Sequence, residues 1–368
     1  MQKKRLGISL YPGDKCTDEQ CIAYMERAAS HGFDVLFLAM FMADEGRDEL
    51  VKRYLPLTTR AKELGFEIHV DVNPLFLKQI GVKTSMLQGG IDLSFFTELK
   101  IDAMRLDMGM SDMEEAFLTK NREGIIIDLN GCAETDHVGA VIAAGGDPNM
   151  LVGCYNYYPH AFTGLSLDYF IEKGRFWTEK KLRLQTFVTS QAPDAFGPWP
   201  VDDGIPTLEM HRNLPISVQT KHFMMMDGIT DILISNCFAT DEELAAMEAA
   251  NAAAVQFSVD LVDGVPTEQA DRLKMALSMR FDCTGGYLVR TLESRMNPLP
   301  VEPFNCVAIK RGDVLIDNTG YGQYRGEVQI ALQDMPADPR VNVVGHIVPE
   351  EHVLLDYLKP NQPFGFTF

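Results

Sequence analysis

The sequence lacks most of the motifs that would commit it to a common chemistry. The turn after its first strand-like run reads YPGDKCTD rather than G-x-G-x-x-G, which disfavours a dinucleotide fold. There is no P-loop, no G-x-S-x-G and no Cys/His pair suited to nucleophilic catalysis. No stretch reaches the ~20 apolar residues of a membrane-spanning helix. The N-terminus, MQKKRLGISLYPGD, carries basic residues without the apolar core of a secretory signal. The seven cysteines are odd in number, include no C-x-x-C, and fall mostly in apolar runs, as at Cys154, Cys237 and Cys306. They read as reduced residues of a cytoplasmic protein, and no His/Cys pair has zinc-ligand spacing. Neither a metal nor a cofactor is expected. Basic residues are also few, 33 against 52 acidic, for a net charge of −19. That balance opposes binding to nucleic acid or to an anionic membrane, yet one or two local arginines could still hold an anionic ligand.

What the sequence has is alternation. Strand-like runs at 6–10, 35–38, 67–72, 103–107, 125–129, 151–154, 182–188 and 232–235 are separated by helical stretches. Thr17 and Asp241 read as helix caps. The pattern predicts an α/β fold of the TIM (β/α)8 type, with an open doubly wound sheet as the alternative. Near residue 255 the alternation gives way to β-like pieces at 255–262, 286–291, 306–309, 314–316, 326–332 and 341–348. The expectation is a barrel domain over 1–252 and a small, mostly-β closed barrel over 253–368.

In a parallel barrel the reactive groups gather at the C-terminal ends of the strands. The polar residues there are Tyr11, Asp71, Asn73, Arg105, Asp107, Asp128, Asn130, Asn156, Tyr157, His160, Ser235 and Asn236. A long segment, 190–212, adds Trp199, Asp202, Asp203, Glu209, His211 and Arg212, and its length suits a lid or binding wall. Each residue has a plainer reading. Arg105 and Asp107 lie two apart on one strand face and could simply pair. Asp128 could cap a helix, and His69 reads as a satisfied core histidine. His160 sits in a turn, as a binding or solvent-facing residue rather than a base. Glu209 could merely favour the start of a helix through the macrodipole.

Carboxylates beside amides and phenols suit glycoside cleavage, which needs two carboxyl groups flanking one bond. Asp107 and Glu209 are the prime pair, with Asp71 in reserve. Tyr11, Asn130, Asn156, Tyr157, His160 and Asn236 are candidates to bind sugar groups. Arg105, Arg212 and Lys221 are candidates for an anionic substituent.

Five stretches, KKRLGISLYPG (3–13), IDAMRLDMG (101–109), NYYPHAFTGLS (156–166), GIPTLEMHR (204–212) and DNTGYGQYRGEVQIAL (317–332), occur in this order. Together they resemble the MupG-type 6-phospho-N-acetylmuramidase family. The resemblance implies a TIM barrel followed by a cyclophilin-like β domain. It implies cytoplasmic hydrolysis of a small phosphorylated amino-sugar disaccharide, N-acetylmuramic acid 6-phosphate linked to N-acetylglucosamine, during cell-wall recycling. Arg325, from the Tyr321–Arg325 loop, is then expected at the mouth. Tyr155 and Gln323 stand where the family pattern has a histidine and a basic residue. A sugar-phosphate isomerase or epimerase and a non-catalytic sugar-binding protein are the alternatives, and a homo-oligomer is left open.

Overall fold

The computed structural model describes residues 1–13, 15–40, 46–85, 89–201, 203–296 and 300–368. The chain divides into two compact units. One comprises Lys4–Gln219 and Asp227–Glu248; the other comprises Met1–Lys3, Thr220–Met226 and Ala249–Phe368.

In the first unit, β1 (Arg5–Leu10), β2 (Val35–Met40) and β3 (Glu67–Val72) are followed by a small antiparallel hairpin, β4 (Lys83–Ser85) and β5 (Gly90–Asp92). Then come β6 (Ala103–Leu106), β7 (Ile126–Asn130), β8 (Leu151–Cys154), β9 (Leu184–Val188) and β10 (Asp231–Ile234). All but the hairpin strands pair in parallel and close into an eight-stranded TIM barrel. Helices cover the outside, so strands such as VLFLAM and LVGC are apolar on both faces.

The helices α1 (Asp18–Ser30), α2 (Arg47–Glu63), α3 (Pro74–Gln79), α4 (Ser94–Glu98), α5 (Asp112–Leu118), α6 (His137–Ala143), α7 (Leu167–Lys180), α8 (Ile216–Met225) and α9 (Asp241–Ala250) intervene. Thr17 and Gln20 form a capping box on α1, which satisfies two otherwise orphaned backbone donors. Several elements escape the sequence reading, and some show why. Asn73-Pro74 does not only end a strand; Asn73 caps α3 and Pro74 opens it, where its missing N–H costs nothing. α7, capped by Ser166, buries Phe170, Lys173 and Trp177 on one face. The hairpin strands are three residues each, too short for a period.

The barrel interior is partly polar. His69 contacts Glu67 at 2.8 Å and Asp128 at 3.1 Å. Arg183 joins Glu67 and Asp231, each at 2.8 Å, and Gln185 donates to Asp231 at 3.0 Å. Asp128 is therefore neither a helix cap nor a group at the mouth. It is fully buried against His69, which is the satisfied core histidine the sequence suggests.

The second unit holds β11 (Val255–Leu261), α10 (Thr267–Leu273), β12 (Leu277–Ser278), β13 (Leu288–Arg290), β14 (Asp313–Asp317), β15 (Val328–Ala331), β16 (Val341–Ile347) and β17 (Pro363–Thr367). Its seven strands run in the order β12-β17-β11-β16-β14-β15-β13, antiparallel except for the β11–β17 pair. The unit is mostly β, as expected, but curls into a half-barrel instead of closing. Its edge strands β12 and β13, of two and three residues, are too short to supply a closing ladder. Among the described residues no helix is long and apolar enough to cross a membrane.

The His69 cluster makes stability depend on pH. Burial alone would lower the imidazole pKa, but hydrogen bonds and charge from Asp128 and Glu67 outweigh it and raise the value from 6.5 to about 9. A cation whose folded pKa is raised contributes stability that is full below its unfolded value and is lost as pH rises through the folded one. Urea unfolding should show stability falling between pH 6.5 and about 9, and His69→Gln should flatten that slope.

Candidate active site

The strand register sets the centre of the mouth. Asp71 on β3 lies beside Arg105 on β6, and Asp107 follows β6 by one residue. The Arg105 guanidinium is 2 % exposed. Its Nη1 donates to Asp71 Oδ1 at 2.7 Å and contacts Asp107 Oδ1 at 3.4 Å, and its Nη2 donates to Asn156 Oδ1. The plain pairing of Arg105 with Asp107 is thus one arm of a larger arrangement. Because both aspartate oxygens touch the same nitrogen, at 2.7 and 3.4 Å, they lie at most about 6 Å apart. The two carboxyls differ sharply in exposure: 2 % for the Asp71 side chain and 39 % for Asp107. Burial pushes Asp71 from 3.8 up to about 7, with Arg105 opposing and the Asp107 charge adding to the rise.

These residues line a cavity of about 130 Å³ with Asn156, Tyr157, Tyr158 and Trp199. Tyr157 packs edge-on against Phe37 and Phe187 inside the barrel. A neighbouring cavity of about 370 Å³ shares Trp199 and is lined also by Tyr11, Lys15, Arg53 and Phe196. Lys15 and Arg53 are absent from the sequence-derived set. Lys15 sits in the turn after β1 and could have been found from that position. Arg53 lies within α2, and no motif singles it out.

Two of the quoted stretches, 156–166 and 204–212, pair with each other. Tyr158 N donates to Pro206 O at 3.1 Å, Leu165 N to Thr207 O at 2.9 Å, and Glu209 N to Leu165 O at 3.0 Å. Glu209 then clamps the junction. It accepts from Phe162 N at 2.9 Å and Gly164 N at 2.8 Å, and it takes a fork of Arg212 bonds at 2.7 and 2.6 Å. A Cβ on Gly164 would stand 2.8 Å from Glu209 N, so the close approach requires glycine there. Glu209 opens a one-turn 3-10 helix, Glu209–His211, close to the predicted helix start. It does not line the cavity with Asp107. The Arg212 hydrogen bonds and the two backbone N–H groups hold its pKa down, from 4.5 to about 2.

The remaining residues fall into place around this centre. Arg212 is buried and directs Nη1 to the carbonyls of Tyr158 and Gly204, at 3.0 and 2.6 Å, so its donors face protein acceptors rather than the cavity. Asn130 accepts from Cys132 N at 2.8 Å and contacts Asp107 O at 3.5 Å; it shapes the turns from outside the lining. Asn236 is buried, exchanging bonds with Ser190 N and O at 2.8 and 3.2 Å. His160 is exposed and its Nδ1 meets Ala161 O at 2.7 Å. Tyr11 is buried with its hydroxyl donating to Ser235 O. Tyr155 stacks on Phe170 and donates to Phe170 O at 2.6 Å, so it faces α7 and not the cavity. Lys221 belongs to the second unit and pairs with Glu351 at 2.6 Å; Arg325 also belongs to that unit. Asp202 lies outside the described residues. Among the described residues no group of three or more His, Cys, Asp or Glu side chains is placed to hold a metal ion.

The clamp yields a stability prediction. Glu209→Gln should cost about 1–3 kcal/mol, as loss of a charge-assisted, partly buried bond set does. An acid with a depressed folded pKa stabilises above its unfolded value and loses that contribution as pH falls through the folded one. The gap between wild type and variant should be constant above pH 4.5 and shrink as pH drops towards about 2, as read by denaturant melts.

The chain resembles two proteins of known crystal structure over nearly its whole length. An uncharacterized B. cereus protein is 36% identical, with all of both chains covered and a TM-score of 0.89. A conserved Enterococcus faecalis protein with an unknown function is 25% identical, with a TM-score of 0.73 over 99% of this chain and 96% of that one. No curated protein matches the sequence. The model of the 6-phospho-N-acetylmuramidase N-terminal region matches residues 6–249, and that of its C-terminal region matches 255–367. With both models matched in order along one chain, this protein belongs to the 6-phospho-N-acetylmuramidase family.

Proposed function

We propose that the protein is a glycoside hydrolase that separates N-acetylmuramic acid 6-phosphate from N-acetylglucosamine, with Asp71 and Asp107 as its two carboxyl groups. The observation that carries the proposal is the pair of aspartate oxygens on one Arg105 nitrogen. Retaining glycosidases hold their carboxyls about 5–5.5 Å apart and inverting ones about 6.5–9.5 Å. A ceiling near 6 Å on the oxygen separation fits the retaining class. The environments also split the pair as the chemistry requires. Asp71, buried and titrating near 7, keeps a proton for the leaving group, while Asp107, more exposed, supplies the carboxylate.

In the first step Asp71 protonates the glycosidic oxygen as the C–O bond breaks, and Asp107 forms a bond to the anomeric carbon. In the second, the Asp71 carboxylate takes a proton from water, whose oxygen displaces Asp107. Trp199, shared by both cavities, suits stacking on the apolar face of a sugar ring. The phosphate is assigned to the neighbouring cavity, whose lining includes the cations Lys15 and Arg53. Glu209, first choice from the sequence, becomes the clamp that holds the 156–166 segment. A role in cell-wall recycling in the cytoplasm follows from the family's substrate and is supported by seven free thiols.

Asp107→Asn and Asp71→Asn should each lower kcat by about 10²-fold or more on the phosphorylated disaccharide, whereas Glu209→Gln should keep most of the turnover per folded molecule. Proton NMR of the first-formed product should show the anomeric configuration retained. The acid role needs the protonated form, so kcat/KM should fall as pH rises through about 7, and Asp71→Asn should remove that limb. Inverted product, or full activity in Asp107→Asn, would overturn the assignment.

A further inference from the structure

Two of the seven cysteines touch. Cys16 Sγ and Cys21 Sγ lie 3.5 Å apart, the only such pair of sulfurs among the described residues. The turn after β1 and the first turns of α1 bring them together. Thr17 is the N-cap of α1, so Cys16 precedes the cap and Cys21 is the fourth residue of the helix. Side chains at these two positions often pack on each other as a hydrophobic staple. Any apolar pair would serve as a staple. Thiols at both positions bring a chemistry that a staple does not need.

Exposure divides the pair. Cys16 is half-buried and open to solvent, whereas Cys21 is fully buried. Burial, then the hydrogen bond to Cys16, pushes the Cys21 thiol up and keeps it protonated. Cys16 is therefore the sulfur that meets an oxidant first, and Cys21 is the resolving partner beside it. Sulfurs in a disulfide stand about 2.05 Å apart, so these two must close by about 1.5 Å. The turn gives more readily than the helix. Cys21 N is held by Thr17 O at 3.1 Å, inside α1. Cys16 is tied more loosely, with its N donating to Gly13 O at 3.3 Å and its Sγ to Tyr11 O at 3.6 Å. The same turn walls the cavity of about 370 Å³ beside the aspartate pair, through Tyr11, Pro12, Gly13 and Lys15. Lys15 Nζ stands 5.1 Å from the Phe196 ring on the facing wall.

We propose that Cys16 and Cys21 are a reversible oxidation site, which a hydroperoxide converts to a disulfide that moves the turn carrying Lys15. The Cys16 sulfur attacks one oxygen of the hydroperoxide and the O–O bond breaks. Cys16 becomes a sulfenic acid, and the other oxygen leaves with the thiol proton as water or an alcohol. The Cys21 sulfur then displaces hydroxide from Cys16, and the Cys21 proton leaves with it as water. Two electrons pass from the thiols to the hydroperoxide, and a dithiol reductant returns them. The bond stands apart from the hydrolase reading; its effect on turnover rests on the placing of the phosphate beside Lys15.

The test treats the full chain with hydrogen peroxide, digests it with trypsin and weighs the peptide of residues 16–27, which holds both cysteines. That peptide should be two hydrogens lighter, and dithiothreitol should restore its mass. Cys21→Ser should leave a sulfenic acid on Cys16 that dimedone traps. Cys16→Ser, which serves if Cys21→Ser does not fold, should leave Cys21 unmodified. Oxidation should shift the amide NMR signals of Tyr11, Gly13 and Lys15. It should also raise KM for the phosphorylated disaccharide about threefold or more at unchanged kcat, a response that Cys16→Ser lacks. Peroxide that leaves residues 16 and 21 unlinked, or that oxidises Cys16 without linking it, would overturn the proposal. A link without shifts on those amides, or without the change in KM, would overturn the coupling to the cavity. If the reduced protein cleaves no disaccharide, the hydrolase reading fails, while the peptide mass and the amide shifts still decide this one.

Discussion

The mouth of the barrel depends on where one guanidinium is held. Arg105 is buried and reaches across to β3, to the residue after β6, and to the segment after β8. Both terminal nitrogens of this buried arginine are matched, and removing a partner from such a pair typically costs about 3–5 kcal/mol. Arg105 therefore does more than balance charge. It ties three strand ends together and fixes the spacing of Asp71 and Asp107. Burial nonetheless keeps Asp71 hard to ionise, although Arg105 pulls the other way.

The surroundings serve that arrangement at a distance. Beneath it, His69 and Arg183 pair with the buried Asp128 and Asp231 and the half-buried Glu67, so the acids of the interior meet cations. Beside it, the Glu209–Arg212 clamp ties the 204–212 segment to the 156–166 segment, which places Asn156, Tyr157 and Tyr158 against the cavity. Glu209 is the kind of residue that a reading by type would place at the reaction. Its environment, rich in donors and locked to Arg212, holds it ionised and occupied.

Much of this was legible in the sequence. Eight strand-like runs alternating with helical stretches point to a parallel barrel, since strands covered on both faces are mostly apolar. Asp71, Arg105, Asp107, Asn156 and Tyr157 were legible because strand ends can be counted. Depth along the strand was not. Asp128 and Asp107 look alike in sequence, yet Asp128 sits within β7, bonded to His69, while Asp107 lies one residue beyond β6 and reaches the cavity. Loop pairing was also hidden. That Glu209 would find Phe162 and Gly164, 47 and 45 residues away, depends on tertiary contacts that no local pattern encodes. The same holds for Arg53, brought to a cavity by the packing of α2, and for Tyr155, turned away from the cavity by its bond to Phe170.

The central claim is that Asp71 and Asp107 form one coupled pair. The most direct measurement is a carbon-13 NMR titration of the Asp71 side-chain carboxyl, in the wild type and in Asp107→Asn. The account predicts a midpoint near 7 that moves down when Asp107 loses its charge. A midpoint in the ordinary aspartate range near 3.8, or one that Asp107→Asn leaves in place, would contradict it.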